Sequence, residues 1–262
     1  MDLKAICIEV ENISKEVGAY ILQERRDFNE DKVEEKSFNN LVSYVDKNAE
    51  IQFMSKLKDV FPEAGFIAEE SEDLVPADTW NWIIDPLDGT TNFIFNIPFY
   101  CTSVALIKNG ELQLGVIYDP NHDELYSAFK NGGAFMNGSV IKVSEKSELI
   151  RSLIATGFPY DDFHKAEEYL KLLGKLITKS QGIRRLGSAA LDLAYVACGK
   201  FDAFYEYGLN PWDVAAGAII VMEAGGKVSD FAGTNDYIFG DDILATNSKV
   251  HQELYSEIKS FF

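Results

Sequence analysis

Residues 80–93, WNWIIDPLDGTTNF, constrain the fold of this chain more than any other segment. Their apolar and aromatic run predicts a buried strand, and the run ends in two carboxylates, Asp85 and Asp88. Pro86 and the pair Asp88-Gly89 are typical of a turn, so a turn with polar decoration is one interpretation. However, a strand rarely leads a carboxylate out of a core without a partner charge, and a metal ion would supply that charge. The segment therefore favours a metal site built on a turn.

The composition limits the class of protein. Of 262 residues, 47% are apolar and 13% aromatic, enough for a substantial core in an ordinary globular chain. The formal charge of -18 predicts no direct binding to nucleic acid or to an anionic membrane, because both need a basic surface. The three cysteines lack C-x-x-C spacing, which favours reduced thiols in a cytoplasm. With no export signal and no apolar run near the roughly 18 residues of a membrane span, we expect a cytoplasmic protein.

Helical periodicity occurs twice before residue 62. The first apolar stripe predicts an N-terminal helix and consists of Ile6, Val10, Ile13, Val17 and Ile21. The second predicts a helix that begins near Asp46 and stops before Pro62. Its inward-facing residues are expected to be Val45, Ala49, Ile51, Phe53 and Leu57.

The remaining chain divides into two patterns. GFIAEES and WNWIIDP each predict a strand that ends in acids, and the alternating segments up to residue 143, cut by Asn-Gly pairs, predict an antiparallel meander. Beyond it, strands and helices alternate, with a charged helix from about residue 162 to 179 and a last helix from about Lys249. We therefore expect an α+β fold, with an N-terminal α+β half over residues 1–145 and a C-terminal α/β half over 146–262. A cleft between the two halves is the expected place for chemistry.

Three acidic clusters contain candidate metal ligands: Glu69-Glu70, the pair Asp85 and Asp88, and Asp213. Mg²⁺ prefers oxygen ligands and commonly takes one or two protein carboxylates together with substrate phosphate oxygens. Each cluster also has a structural interpretation, because Asp213 is a good N-cap for the helix that follows it and the glutamates could form a solvated strand end. An EF-hand is not indicated, since the D-x-D-x-D-G spacing is missing.

Two glycine-containing segments are candidate phosphate cradles. Gly89-Thr90-Thr91 could open a helix whose free backbone N–H groups point at an anion. Gly187-Ser188-Ala189 precedes AALDLAYVA, which Gly199 would close as the C′ glycine. A Ser-capped packing helix is the alternative for the second segment.

The motifs EES at 69–71, DPLDGTTNF at 85–93 and WDVAAG at 212–217 resemble the inositol monophosphatase family. That family lies within the lithium-sensitive, Mg²⁺-dependent sugar-phosphatase superfamily that includes fructose-1,6-bisphosphatases. The resemblance covers nearly the whole chain and implies a layered αβαβα sandwich, a homodimer, and hydrolysis of inositol monophosphate or a related sugar or polyol phosphate. Alternatives are 3′-phosphoadenosine 5′-phosphate, histidinol phosphate or fructose 1,6-bisphosphate as substrate, or a catalytically idle scaffold that binds a partner.

The resemblance also implies roles for individual residues. Glu69, Asp85 and the Leu87 carbonyl would bind one Mg²⁺, while Asp85, Asp88 and Asp213 would bind a second. A third, weaker ion near Glu69 and Glu70 is typical of the family. Thr90 and Asp46 would activate the attacking water, with Glu69 counted among the catalytic residues. The expected substrate contacts are Leu87, Asp88, Gly89, Thr90, Gly187, Ser188, Ala189, Glu206 and Asp213.

Some positions depart from the family pattern or carry no expected chemistry. Asn40 and Ser43 stand where the family has aspartate and threonine, and Lys36 lies one position from a lysine often found there. The three histidines have no spacing that indicates a triad or zinc site, and they are predicted to be surface or loop residues: His122, His164 and His251. A core strand is predicted around Glu206 from the aromatic residues near it, which are Phe201, Phe204, Tyr205 and Tyr207.

Overall fold

The computed structural model describes residues 2–28, 33–37, 40–71, 74–159 and 163–262. Its first layer consists of the helices α1 (Leu3–Arg26) and α2 (Tyr44–Val60), which pack on each other. Asp2 caps α1 by accepting a hydrogen bond from the Ala5 amide at 3.1 Å. In α2, Ser43 and Asp46 form a capping box, which fixes where the helix begins.

The buried face of α2 differs in one position from the prediction. Val45, Ala49, Phe53 and Leu57 are buried, as expected, but Ile51 is 64% exposed. Residues spaced by four share one face of a helix, and residue 51 lies about 200° around the axis from residue 49. The prediction that Ile51 faces the core is therefore wrong.

Strands form the second layer. A hairpin of β1 (Val33–Ser37) and β2 (Asn40–Ser43) precedes it. Seven of the described strands form one sheet in the order β3-β4-β5-β6-β7-β8-β9, with only the β3–β4 pair parallel. The strands are β3 (Gly65–Ala68), β4 (Trp80–Asp88), β5 (Cys101–Lys108), β6 (Glu111–Asp119), β7 (Glu124–Phe129), β8 (Gly133–Met136) and β9 (Ser139–Ile141). The predicted antiparallel meander is confirmed, and a short helix α3 (Thr90–Ile94) follows β4.

Five further described strands form a second sheet in the order β11-β10-β12-β14-β13. The strands are β10 (Leu153–Thr156), β11 (Gly182–Arg184), β12 (Ala203–Tyr207), β13 (Lys227–Ser229) and β14 (Asp242–Thr246). The helices in the same part of the chain are α4 (Ala166–Lys179), α5 (Ala189–Ala197), α6 (Pro211–Glu223) and α7 (His251–Ile258). The start of α4 that was predicted near residue 162 lies outside the described residues.

Helices α5 and α6 form the central layer between the two sheets. Both are largely apolar around their circumference, as expected for a buried helix; the acids they carry are Asp192 in α5, and Asp213 and Glu223 near the two ends of α6. Helices α1 and α2 cover the outer face of the first sheet, while α4 and α7 pack with the outer face of the second. The layered αβαβα sandwich and the α+β class are therefore confirmed.

Gly115 on β6 lets α6 approach the first sheet closely. A Cβ on this glycine would lie 2.6 Å from Ile219 Cγ2 and 2.8 Å from the Ala216 Cα. Because backbone atoms are involved, a side chain could be accommodated only if the helix moved. Close packing of α6 therefore sets the position of the residues at its N-terminus, including Asp213.

Two predictions about residues of the second sheet and its helices have different outcomes. The aromatic segment around Glu206 is a core strand, β12, with Phe204, Tyr205 and Tyr207 fully buried. His251, by contrast, is only 4% exposed, so its prediction as a surface or loop residue is wrong. It opens α7 and packs beside Ser229 and Thr246 on the second sheet.

No helix in the part of the chain that the structure describes is long and apolar enough to span a membrane.

Candidate functional site

A cleft lies where the end of β4 meets the N-terminal ends of α5 and α6. The space between its walls is about 780 Å³, including the solvent at its open mouth. Nearly all of the predicted site residues line it, namely Glu69, Asp85, Leu87, Asp88, Gly89, Thr90, Gly187, Ser188, Ala189, Glu206 and Asp213. Asp46 lies behind this lining and is 1% exposed.

A break in the register of β4 directs its two acids into the same cleft. Residues three apart on a regular strand point to opposite faces of the sheet. The pairing with β5 is interrupted between Asp85 and Asp88, and Gly89 follows in a left-handed conformation with φ of 95°. This irregularity reorients the strand end, as bulges do. Where the sequence predicted a turn, β4 continues to Asp88, and the irregularity in its pairing brings both carboxylates to one place.

Asp85, Asp88 and Asp213 form the centre of the site. Each offers a carboxylate oxygen within 4.8 Å of those of the other two. Within the described ranges, no lysine or arginine forms an ion pair with any of the three. Arg185 acts on the cluster from the rim of the cleft, where its charge lowers the pKa of Asp88 without an ion-pair contact among the described residues.

Burial raises the pKa of each acid, and neighbouring negative charges add to the rise for Asp85 and Asp213. Burial raises the pKa of Asp85 well above its usual range, and the nearby charges of Glu69, Asp88 and Asp213 add to the effect. Burial and then the charge of Asp88 raise the pKa of Asp213 to about 7. The pKa of Asp88 rises to about 6, mainly through burial, although hydrogen bonds oppose the rise. A site that penalises its own negative charge in this way favours binding of a cation.

Asp88 is held by the N-terminus of α5. Its Oδ2 accepts hydrogen bonds from the Ser188 hydroxyl at 2.6 Å and from the Ala190 amide at 2.7 Å. Ser188 is also the N-cap of α5 and accepts from the Leu191 amide, as the Ser-cap interpretation predicted. The helix dipole stabilises a carboxylate at this position. The 187–189 segment therefore fixes a candidate metal ligand as well as lining the cleft.

Thr90 and Asp46 are in direct contact, although 44 residues separate them in the chain. The Thr90 hydroxyl lies 2.8 Å from Asp46 Oδ1 and 3.0 Å from the Leu87 carbonyl oxygen, and it has one proton to donate. The other carboxylate oxygen of Asp46 accepts from the Ser43 amide and hydroxyl at 2.9 and 2.6 Å. Burial raises the pKa of Asp46, while these hydrogen bonds lower it in part. The contact gives the Thr90 hydroxyl a fixed acceptor behind the cleft.

Asp213 occupies the third position of α6 rather than its N-cap. Asn210 is the N-cap, Pro211 follows at the first helical position, and the Asn210 amide donates to Asp213 Oδ2 at 2.7 Å. Proline is pre-organised to open a helix, so α6 begins before Asp213. The interpretation of Asp213 as the N-cap is therefore wrong, but the capping box still orients its carboxylate at the cleft.

The sequence profile of the inositol monophosphatase family matches residues 3–260. This chain belongs to the inositol monophosphatase family. Nus factor SuhB of Escherichia coli strain K12 is 42% identical over 226 residues, 86% of this chain and 85% of that protein. Extragenic suppressor protein suhB from Bartonella henselae has a crystal structure similar at a TM-score of 0.93 and 38% identity, covering 98% of this chain and 100% of that one. The structure of inositol monophosphatase from Anabaena (Nostoc) sp. PCC 7120 is similar at a TM-score of 0.88 and 38% identity, and the match covers 100% of this chain and 98% of that one.

Glu206 forms the wall of the cleft on the side of the second sheet. Burial raises its pKa to about 8, the charge of Arg185 lowers it, and the charges of Asp213 and Asp88 raise it further. A Cβ on Gly157 would lie 2.0 Å from Glu206 Oε1, so the carboxylate rests directly on this glycine. Gly157 is a site residue that the sequence analysis missed, and a lone glycine after a strand is too weak a signal to find it.

Asp192 and Arg185 were also missed. Asp192 lines the cleft from α5, is 1% exposed, and its Oδ1 has no hydrogen-bond partner among the described residues. One carboxylate in the otherwise apolar run AALDLAYVA was a usable signal, because a buried acid is rare without a role. Arg185 lies at the rim, where its guanidinium carbon is 5.8 Å from the centre of the Phe158 ring. The side chains of Lys36 and Asn40 lie outside the described residues.

Proposed function

We propose that this chain is a Mg²⁺-dependent phosphomonoesterase that hydrolyses inositol monophosphate or a related sugar or polyol phosphate. The observation that carries the proposal is the cluster of Asp85, Asp88 and Asp213, whose oxygens lie within 4.8 Å of one another. Such an all-oxygen, multiply charged donor set fits a hard divalent cation. Membership in the inositol monophosphatase family and the similarity to the Anabaena enzyme support the same reaction class.

The residues of the cleft divide into two overlapping ligand sets. Glu69, Asp85 and the Leu87 carbonyl would hold one Mg²⁺, and Asp85, Asp88 and Asp213 a second, with Glu69 and Glu70 available to a third, weaker ion. When bound, Mg²⁺ supplies positive charge for the phosphoryl oxygens and makes a water molecule acidic enough to attack phosphorus. That positive charge would also offset the burial and the mutual repulsion that raise the pKa values of Asp85 and Asp213.

Thr90 and Asp46 would orient that water and receive its proton. The water would donate a hydrogen bond to Thr90 Oγ1, which donates its own proton toward Asp46 Oδ1 at 2.8 Å. As the water oxygen bonds to phosphorus and the ester P–O bond breaks, one proton passes through the threonine hydroxyl to the carboxylate. The leaving alkoxide takes a proton from solvent. Ser43 keeps Asp46 in place during this transfer through its two hydrogen bonds.

Substrate contacts would come from opposite sides of the cleft. Backbone N–H groups at residues 87–90 and 187–189 would bind phosphate oxygens and ring hydroxyls, since free amides near a helix start bind anions without lysine. Glu206 would accept a hydrogen bond from a hydroxyl of the sugar or inositol. We also propose that lithium inhibits the enzyme, that it is a cytoplasmic homodimer, and that residues 1–145 and 146–262 are the two halves that meet at the cleft.

A substrate panel tests the function. Purified protein should release phosphate from inositol 1-phosphate and sugar monophosphates only with Mg²⁺, and less with Li⁺ added. Comparison of kcat/KM with 3′-phosphoadenosine 5′-phosphate, histidinol phosphate and fructose 1,6-bisphosphate ranks the substrates. Absence of Mg²⁺-dependent phosphate release from every ester would refute the proposal.

Partner binding is a second candidate, because the E. coli relative is named a Nus factor. The intact acidic cluster favours catalysis over an idle scaffold, and direct nucleic-acid binding remains disfavoured by the charge of -18. A strain that carries Asp85→Asn in place of the wild-type gene separates the two. If the variant strain loses phosphatase turnover and also behaves like a strain without the gene, the enzyme is supported. If it loses turnover but behaves like the wild type, the scaffold is supported. RNA binding by the purified protein would contradict the charge argument.

A further inference from the structure

Glu50 is a buried acid on α2 that the site described above does not use. It is 1% exposed, and both of its carboxylate oxygens have donors. Oε2 accepts from the Glu70 amide at 2.7 Å, and Oε1 accepts from the Ser71 hydroxyl at 2.5 Å. An ionised carboxylate suits this contact because it only accepts hydrogen bonds, whereas an amide would present a donor to one of the two.

The segment that Glu50 holds lies at the end of an edge strand. β3 is the outermost strand of the first sheet, and its pairing with β4 ends at Ala68 opposite Ile84. Glu69 therefore lies just past the last ladder pair. A hydrogen bond to the Glu70 amide fixes the peptide plane between Glu69 and Glu70, because the peptide group is planar. The direction in which Glu69 enters the cleft then depends on the side chain of Glu50.

Helix α2 also contacts Thr90, through Asp46, which lies one helical turn before Glu50. Asp46 and Glu50 are four residues apart and therefore lie on the same face of the helix. Asp46 accepts from the Thr90 hydroxyl at 2.8 Å, while Glu50 accepts from the turn that follows Glu69. One rigid helical turn thus sets the positions of Thr90 and Glu69 relative to each other.

We propose that Glu50 is a positioning residue of the metal site, which holds the turn of residues 69–71 so that Glu69 meets the carboxylates at the end of β4. The inference rests on the proposed function, because Glu69 is a proposed Mg²⁺ ligand there. Groups that orient metal ligands commonly change metal affinity or activity by roughly 10–100-fold when removed. Glu50 would act through Glu69 and would touch neither the substrate nor the ion.

Glu50→Gln tests the proposal on the full-length protein. Calorimetric titration with Mg²⁺ alone, without substrate, should show affinity weaker by about 10-fold or more than in the wild type. At saturating Mg²⁺, kcat should recover and the KM for inositol 1-phosphate should stay within about 3-fold of the wild-type value. Amide exchange at Glu70 should become faster, because the carboxylate that accepts the hydrogen bond of this amide is replaced. A merely structural role would not be rescued by Mg²⁺.

Glu223→Gln is the matched control. Glu223 also holds a turn with both oxygens, accepting from the amides of Asn131 and Gly133 at 2.8 and 2.9 Å, but it lies at the far end of α6. Its replacement should leave Mg²⁺ affinity unchanged. Equal Mg²⁺ affinity in Glu50→Gln and the wild type would overturn the proposal.

Ser71→Ala keeps the test valid should Glu50→Gln fail to fold. It removes one of the two hydrogen bonds and should weaken Mg²⁺ binding less, by a few-fold; unchanged Mg²⁺ affinity and unchanged exchange at Glu70 would then overturn the proposal. Failure of the proposed function looks different, because the wild-type protein itself would bind no Mg²⁺ or release no phosphate.

Discussion

At the scale of single residues, the hydroxyl of Thr90 has the most specific predicted role. Thr90→Ala removes the group between the attacking water and Asp46. We expect kcat to fall by about 100-fold or more, with Mg²⁺ affinity and the KM for inositol 1-phosphate close to wild type. Steady-state kinetics together with calorimetric Mg²⁺ titration measure both.

Thr90→Ser is the control for this change, because serine keeps a hydroxyl that can donate a hydrogen bond to Asp46, as that of Thr90 does at 2.8 Å. It should retain most of the activity. Full activity in Thr90→Ala would show that the hydroxyl takes no part in proton transfer.

The charge of Asp85 is expected to destabilise the metal-free protein and to favour the binding of Mg²⁺. Burial and three neighbouring acids raise its pKa, so its charge destabilises the metal-free fold. Asp85→Asn should therefore raise the free energy of unfolding in EDTA by on the order of 1 kcal/mol. In the wild type, Mg²⁺ at 100 times its Kd should add about 2.7 kcal/mol to the free energy of unfolding and thereby raise Tm. Asp85→Asn should lose this Mg²⁺-dependent increase.

Thermal unfolding in EDTA and in Mg²⁺ measures both effects. Asp119→Asn is the matched control, because Asp119 is a fully buried carboxylate whose oxygens have donors in Asn121 and His122. It should destabilise the protein and keep the Mg²⁺-dependent increase. An Asp85→Asn protein that is less stable than the wild type in EDTA would contradict the account of the cluster.

At the scale of secondary-structure elements, close packing of α6 on β6 couples stability to the site. Gly115→Ala would place a Cβ 2.7 Å from the Ala216 carbonyl oxygen and 2.8 Å from its Cα. The helix must move, which we expect to lower the free energy of unfolding by about 1–3 kcal/mol. Because α6 carries Asp213, Mg²⁺ affinity should fall as well. Chemical denaturation and calorimetric titration are the measurements.

Gly174→Ala provides the comparison for Gly115. Gly174 lies in α4, and a Cβ there would meet nothing within 4 Å. Alanine is the better helix former, so this change should stabilise the protein by about 0.5–1 kcal/mol and leave Mg²⁺ affinity unchanged. Similar effects of the two substitutions would show that the contact between α6 and β6 is not tight.

Most elements were predictable because their apolar periodicity is long and regular. The helices α1 and α2 and the β5–β9 meander follow directly from such patterns. The ends of the elements were harder to predict from the sequence, because they depend on capping residues. The start of α6 is set by Asn210 and Pro211, two residues whose joint effect outweighs the good capping propensity of Asp213.

At the scale of the whole molecule, acid stability should depend on the buried His251. Burial lowers its pKa from the ordinary 6.5 to about 4, with a smaller contribution from the charge of Lys227. Between these two values the unfolded chain binds more protons than the folded protein. The free energy of unfolding therefore decreases as pH falls from 6.5 toward 4, by about 1–2 kcal/mol at pH 5 from this residue.

His251→Gln isolates that contribution, because glutamine cannot be protonated in this range. Denaturant unfolding at pH 7 and pH 5 in both proteins gives the difference between their pH responses. Acids with raised pKa values act in the opposite direction, but they are common to both proteins and cancel. An equal loss of stability between pH 7 and pH 5 in the two proteins would refute the prediction.

The sequence alone determined the kinds of element and the chemistry available at their ends, because periodicity and residue type are local properties. It identified the acids at Glu69, Asp85, Asp88 and Asp213 as one candidate site, and all four line the same cleft. Only the tertiary structure decided which distant groups meet. The resemblance implied that Asp46 and Thr90 act together, and the structure gives their contact at 2.8 Å. The hydrogen bonds of Glu50 to residues 70 and 71, and the burial of His251 beside Ser229 and Thr246, join segments that are separated in the chain. Such contacts depend on how helices and sheets pack, and no local pattern contains that information.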